Sequence, residues 1–179
     1  VRNSVAASAV ALTVGISIKD IKDGLLKFKG VQRRFNKIFS LNNVSYFDDY
    51  AHHPTEIKFV LEGVNKVYKD YDKVCVFQPH RISRLKDLRR EFSYAFKDSD
   101  VVVLCPIYTA GEKIKLGFNY LNFSREIVKN SKVKLFLVNN KTELAKFLKK
   151  NMYGTKKIVI GMGAGTISSW MRELPNLMK

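Results

Sequence analysis

Five apolar runs of four to seven residues, each separated from the next by a longer segment, limit this chain to few architectures. They are Val44-Ser45-Tyr46-Phe47, Lys73–Phe77, Val101–Cys105, Lys132–Val138 and Lys156–Ile160. Val101-Val102-Val103-Leu104 is apolar without alternation, the pattern of a strand buried on both faces. Between the runs, apolar residues recur at helical spacing. Ile57, Val60, Leu61, Val64 and Val67 mark a helix over 54–68, and Leu85, Leu88, Phe92 and Phe96 one over 83–96. Further helices are predicted over 121–129, 142–149 and 164–172, with a looser stretch at 106–118. Strands and helices alternating at this length predict a Rossmann-like α/β domain, a mostly parallel sheet with helices on both faces.

The first thirty residues read differently. Asn3 to Val14 is Ala-rich and helical, and Gly15 ends it as a C-cap glycine does. Ile18, Ile21, Leu25, Leu26 and Phe28 continue at helical spacing up to Gly30. The turn-prone pair Asn42-Asn43 then separates 35–39 from 44–47, which predicts a β-hairpin. The expected organisation is a helical segment over 1–32 followed by an α/β domain over 33–179. The chain opens on Val1 rather than Met, as a fragment of a longer protein would.

Charge and composition exclude some functions. The net charge is +16, but the excess is mostly lysine scattered on polar faces, without an Arg-rich run or a nucleic-acid motif. A solvated basic surface is the expectation, with no nucleic-acid partner. No stretch of about 18 apolar residues exists, so no membrane insertion is expected. Val5–Val14 lacks the flanks of a signal peptide. The two cysteines, Cys75 and Cys105, both fall in strand runs and read as buried free thiols, which suits a reducing cytoplasm.

Four polar or glycine-rich motifs each follow a predicted strand. They are Asp48-Asp49-Tyr50-Ala51-His52-His53, Gln78-Pro79-His80-Arg81-Ile82-Ser83-Arg84, Tyr108-Thr109-Ala110-Gly111-Glu112 and Gly161-Met162-Gly163-Ala164-Gly165. In a parallel sheet such loops share one edge, where ligands bind. Titratable side chains are costly to bury, so a cluster of them at a turn points to chemistry. His53 precedes Pro54 and reads as a helix cap; His52 and Asp49 read as functional. Adjacent residues seldom all face one ion, so no metal site held by protein side chains alone is expected here. Arg81 and Arg84, at the start of a helix opened by Ser83, suit a carboxylate or phosphate; the bland alternative is a surface pair with Asp87 or Glu91. The glycine loop lacks the G-x-G-x-x-G spacing and reads as a tight, closely packed turn, and no G-x-x-x-x-G-K-[ST] phosphate loop exists in the chain.

Together with Asn3-Ser4-Val5-Ala6-Ala7-Ser8-Ala9 and Gly30-Val31-Gln32-Arg33-Arg34-Phe35, these motifs resemble the Mur ligases of bacterial peptidoglycan synthesis, and in particular the branch that joins L-alanine to UDP-N-acetylmuramate. The resemblance covers nearly the whole chain. It implies a C-terminal Rossmann-like domain preceded by the end of a central ATPase domain. The N-terminal UDP-substrate domain and most of the central domain would lie elsewhere. It implies a reaction in which ATP and Mg²⁺ turn the muramate carboxylate into an acyl phosphate, which the amine of L-alanine then attacks. Residue by residue, Asn3, Arg34 and Asp49 match positions that bind ATP, Arg34 at the phosphates and Asp49 at the ribose. Tyr50, His52, Arg81 and Arg84 match positions around the amino acid, with His52 also placed to assist proton removal. The chain departs from the family pattern at Thr166, where Asp or Asn is frequent, and at Ala51, where Gly is common. A different reading of the same α/β pattern is a free-standing, non-catalytic domain that binds a nucleotide or amino acid.

Overall fold

The computed structural model describes residues 2–113, 118–154 and 156–179. Residues 114–117, part of the looser stretch expected at 106–118, lie outside the described residues. The chain divides into two compact units, 1–32 and 33–179.

The first unit holds α1 (Arg2–Thr13) and α2 (Ile18–Lys27). Ser17 starts α2, its hydroxyl accepting the Asp20 amide at 3.1 Å, and Gly15 supplies the positive φ of 84° between the helices. The second helix stops at Lys27, short of Gly30, because Phe28 turns to extended backbone. Two helices of this length cannot enclose a core, and α2 buries no residue.

The second unit carries a six-stranded sheet in the order β1-β2-β6-β3-β4-β5. The strands are β1 (Asn36–Leu41), β2 (Val44–Asp49), β3 (Asp72–Phe77), β4 (Val101–Leu104), β5 (Lys134–Leu137) and β6 (Lys157–Met162). All pair in parallel except β1, which forms the antiparallel hairpin with β2 across Asn42-Asn43, both at positive φ. The last strand, β6, inserts between β2 and β3. The helices are α3 (Pro54–Val67), α4 (Ile82–Asp87), α5 (Arg89–Tyr94), α6 (Tyr120–Ser131), α7 (Lys141–Asn151) and α8 (Ile167–Leu177).

Alternation along the strands divides the core in two. Phe47, Cys75, Phe77, Val102, Leu104, Ile158 and Ile160 face one layer, covered by Ile57 and Leu61 of α3, Phe92 of α5 and Phe123 and Ile127 of α6. Tyr46, Val74, Val76, Val103 and Val159 face the other, covered by Leu144 and Leu148 of α7 and Ile167, Met171 and Leu174 of α8. The mostly parallel sheet with helices on both faces is the expected fold. Both cysteines are buried and free.

Two helix expectations need correction. The helix foreseen over 83–96 is broken at Leu88, whose φ of −111° and ψ of 25° leave the helical region. The break escapes a reading by periodicity because Leu85 and Phe92 stay buried on one side of it. The last helix begins at Ile167 rather than 164 and runs to Leu177, with Pro175 inside it.

Phe77 sits at the middle of the first layer, fully buried, with the rings of Phe96 and Phe92 at 5.3 and 5.8 Å. Phe77→Ala should cost about 3–5 kcal/mol. Urea unfolding followed by the fluorescence of Trp170, the one tryptophan, measures it; a loss under about 1 kcal/mol would place Phe77 outside the cooperative core.

Candidate active site

The four motifs do meet at one end of the sheet, though Asp48, Asp49, Gly161 and Met162 still lie on strands and Ile82, Ser83 and Arg84 on α4. Asp48 and Asp49 are the last residues of β2, 0% and 3% exposed. Period-two alternation sends them to opposite faces. Asp48 points toward α8: its Oδ2 accepts the Ser168 hydroxyl at 2.5 Å and lies 3.7 Å from Arg172 and 3.9 Å from Arg33. Asp49 binds backbone. Its Oδ1 accepts the Ala51 amide at 2.7 Å and its Oδ2 the Phe35 amide at 2.8 Å. Burial pushes the Asp49 carboxyl up, opposed by those two amides and by the nearby charge of Arg34.

Arg33 and Arg34 enter the site from the segment before β1. Arg33, at a positive φ of 58°, donates to the Gly163 carbonyl at 2.5 Å and lies over the Tyr50 ring at 4.6 Å. Arg34 is exposed, close enough to Asp49 and Glu56 to favour the charged form of both. Arg33 falls in the Gly30–Phe35 motif, but two adjacent arginines do not show which of them turns inward, and the role falls to Arg34 alone. Asn3 lies on α1, in the other unit.

The turn after β2 orders the histidines. His53 caps α3 as expected, its ring nitrogen accepting the Thr55 amide at 3.3 Å. Glu56 reaches back to accept the amides of His52 and His53 at 3.0 and 3.2 Å. Burial works to raise the Glu56 carboxyl, yet those amides, His52 and Arg34 together hold it below its usual value. His52 Nδ1 lies 2.9 Å from the Tyr50 carbonyl, which can only accept, so Nδ1 carries the proton. Whenever the ring is neutral, its lone pair is therefore on Nε2.

The loop after β3 packs against the loop after β4. His80 stacks on Tyr108 with centroids 5.6 Å apart, and its edge meets His52 at 5.6 Å. Arg84 Nη1 donates to His80 Nδ1 at 3.3 Å, since a guanidinium has no acceptor. Arg81 is exposed, with φ 69° and ψ 133°, a backbone state costing about 1–3 kcal/mol away from glycine. Contrary to the sequence expectation, Ser83 does not open the helix. Arg81 holds the cap position without a side-chain bond, and Ser83 lies in the first turn. Neither arginine pairs with Asp87 or Glu91 among the described residues. His80 and Glu112 were quoted within motifs but assigned no role; their part shows only in contacts between distant loops.

The glycine loop is a close-packed turn. A Cβ at Gly163 would lie 2.7 Å from the Gln78 carbonyl, and one at Gly165 2.6 Å from the Gln78 Oε1 and the Tyr108 ring. Gln78 caps α8, its Oε1 accepting the Ile167 amide at 2.9 Å while its Nε2 donates to Thr166 Oγ1 at 3.0 Å. The structure thus brings Arg34, Asp49, Tyr50, His52, Arg81 and Arg84 to one edge. Among the described residues no three His, Cys, Asp or Glu side chains cluster as a metal site.

Comparison with known proteins bears on this edge. Residues 33–165 match the model of the Mur ligase, glutamate ligase domain. A UDP-N-acetylmuramate–L-alanine ligase of Pelagibacter ubique is 66% identical over 178 residues, 99% of this chain and 38% of that protein. One from Brachyspira hyodysenteriae is 51% identical over 112 residues, 63% of this chain and 24% of that protein. The chain therefore spans less than two fifths of these relatives. Among solved structures, a Thermotoga maritima UDP-N-acetylmuramate–alanine ligase superposes with a TM-score of 0.72 at 26% identity, covering 97% of this chain and 36% of that one. A murein peptide ligase of Psychrobacter arcticus shares the fold, with a TM-score of 0.73 at 20% identity over 98% of this chain and 36% of that one.

The neighbours of His80 make a specific expectation. Burial first, then the charge of Arg84, holds its pKa below the usual 6.5. The neutral ring accepts from Arg84, so the stability it contributes is present above 6.5 and lost as pH falls through the lower folded value. An NMR titration of the chain should give a His80 midpoint below 6.5, and Arg84→Ala should move it up; a midpoint above 6.5 would contradict the assignment.

Proposed function

The chain belongs to the Mur ligase family, and on that premise we propose that it is the amino-acid-binding, ATP-site-completing part of an ATP-dependent ligase joining L-alanine to UDP-N-acetylmuramate. The observation that carries this reading is the shared edge where Arg84, His80, His52 and Tyr50 form one chain of contacts. Arg81 and Arg84 hold the carboxylate of L-alanine, which needs charge-assisted donors in fixed positions. Tyr50 and His52 line the amine side. An amine must be neutral to attack, and the free Nε2 lone pair of His52 accepts its proton. The amine nitrogen then bonds to the acyl carbon as phosphate leaves.

Arg34, exposed beside Asp49, serves the ATP phosphates. A carboxylate offers about four acceptor sites, so the two amides leave Asp49 able to take a ribose hydroxyl as well. Asn3 belongs with the nucleotide site of the central domain, whose end residues 1–32 represent. The exposed Leu25, Leu26 and Phe28 of that unit support this, as faces a larger domain would cover. Mg²⁺ would neutralise phosphate charge in such chemistry.

Two measurements test the reading. The 179-residue chain alone, lacking a phosphate-cradling loop, should release no phosphate from ATP on addition of L-alanine and UDP-N-acetylmuramate. A chimera in which this chain replaces the matching stretch of the Pelagibacter ubique relative should release phosphate in an alanine-dependent way. In that chimera Arg81→Ala and Arg84→Ala should each raise the KM for L-alanine about tenfold or more, some 1.4 kcal/mol, with little change in the KM for ATP. A normal KM for L-alanine with a raised KM for ATP would move the pair to the phosphate site. A chimera without alanine-dependent activity would overturn the function.

A further inference from the structure

The geometry points to Glu112 as the positioning residue for the arginine pair, a role that rests on the ligase reading above. The loop from Tyr108 to Glu112 grips Arg81 from both sides. Before it, the Tyr108 carbonyl accepts the Arg81 amide at 2.9 Å. After it, Glu112 Oε2 accepts the amides of Ile82 and Ser83 at 2.7 and 3.1 Å, and Oε1 accepts the Ser83 hydroxyl at 2.5 Å. The first amides of a helix are commonly capped by the side chain just ahead of it. Arg81 has no acceptor to give and makes no such bond. A carboxylate thirty residues further on in the chain does the capping instead.

The loop is shaped for this contact. Positive φ at Ala110 (51°) and Gly111 (85°) reverses the backbone, and the Glu112 amide donates to the Thr109 carbonyl at 3.0 Å. The reversal aims the carboxylate at the start of α4. None of its hydrogen bonds goes to a guanidinium among the described residues, so it fixes the helix without occupying the arginines. Its hydrogen bonds from Ser83 hold its pKa below the usual value, keeping it ionised at neutral pH. The consequence reaches both arginines. Arg81 keeps its positive φ only while Tyr108 and Glu112 constrain it, and Arg84, third residue of the helix, lies within the first turn that Glu112 secures.

The test uses the chimera described above, with steady-state kinetics for L-alanine and for ATP. Glu112→Ala should raise the KM for L-alanine about tenfold while kcat and the KM for ATP change less than threefold. Glu112→Gln, whose one oxygen can still accept both amides but which loses the charge and the acceptor for the Ser83 hydroxyl, should fall between it and the parent. A purely structural role would lower the active fraction instead, reducing kcat for all substrates alike and leaving the KM for L-alanine unchanged; that result, or unchanged kinetics throughout, overturns the proposal. If Glu112→Ala fails to fold, Glu112→Ser, whose shorter side chain cannot reach the amides, decides on the same criteria. A second readout is independent of the ligase reading. In the 179-residue chain, Glu112→Ala, which removes the acceptor of both amides, should speed hydrogen exchange at Ile82 and Ser83 at least fivefold, and unchanged exchange there would also overturn it. Faster exchange in a chain whose chimera shows no alanine-dependent activity would confirm the cap and sink the function instead.

Discussion

A buried carboxylate that binds backbone on both sides of itself organises this edge of the sheet. Asp49 ties Phe35, ahead of the hairpin, and Ala51, at the start of the histidine turn, to the end of β2. Each bond satisfies an amide that would otherwise be costly to bury. Arg33 and Arg34 enter at the site because Phe35 is anchored, and the turn bearing His52 leaves β2 in a fixed direction because Ala51 is. On the other face Asp48 does the same for α8 through Ser168. The paired aspartates thus read as a structural clamp with the candidate site residues attached to it.

The rest of the edge is built in the same way, by side chains that satisfy backbone groups of a different loop. Gln78 caps α8, Glu112 caps α4, and Arg33 holds the Gly163 carbonyl. The insertion of β6 between β2 and β3 makes this possible, since it brings the glycine loop between the histidine turn and the arginine loop. Gly163 and Gly165 lack side chains because the Gln78 and Tyr108 atoms already fill those positions. Rigid placement of charged groups is what the reaction proposed for this edge requires.

Much of this was legible in the sequence for identifiable reasons. Continuous apolar runs such as Val101–Leu104 can only be strands covered on both faces, and motifs that follow such strands share an edge. His53 as a cap followed from its place before Pro54. What stayed hidden is non-local. No pattern within 157–162 shows that β6 pairs with β2 and β3. The break at Leu88 leaves the spacing of Leu85 and Phe92 intact. The cap of α4 comes from Glu112, so local reading gave that role to Ser83. The task of Asp49 in holding backbone is invisible in a motif that spells out only carboxylates and histidines.

The protein's own contacts hold this edge in place before any ligand arrives. Hydrogen exchange of the nucleotide-free chain, comparing Asp49→Asn with the parent, checks this. An amide group cannot accept with its nitrogen, so one of the two bonds is lost, at about 1–3 kcal/mol. Protection of the Phe35 or Ala51 amide should therefore fall roughly five- to hundredfold. Unchanged protection at both, in a folded variant, would show that Asp49 is not the anchor and is there for the ligand alone.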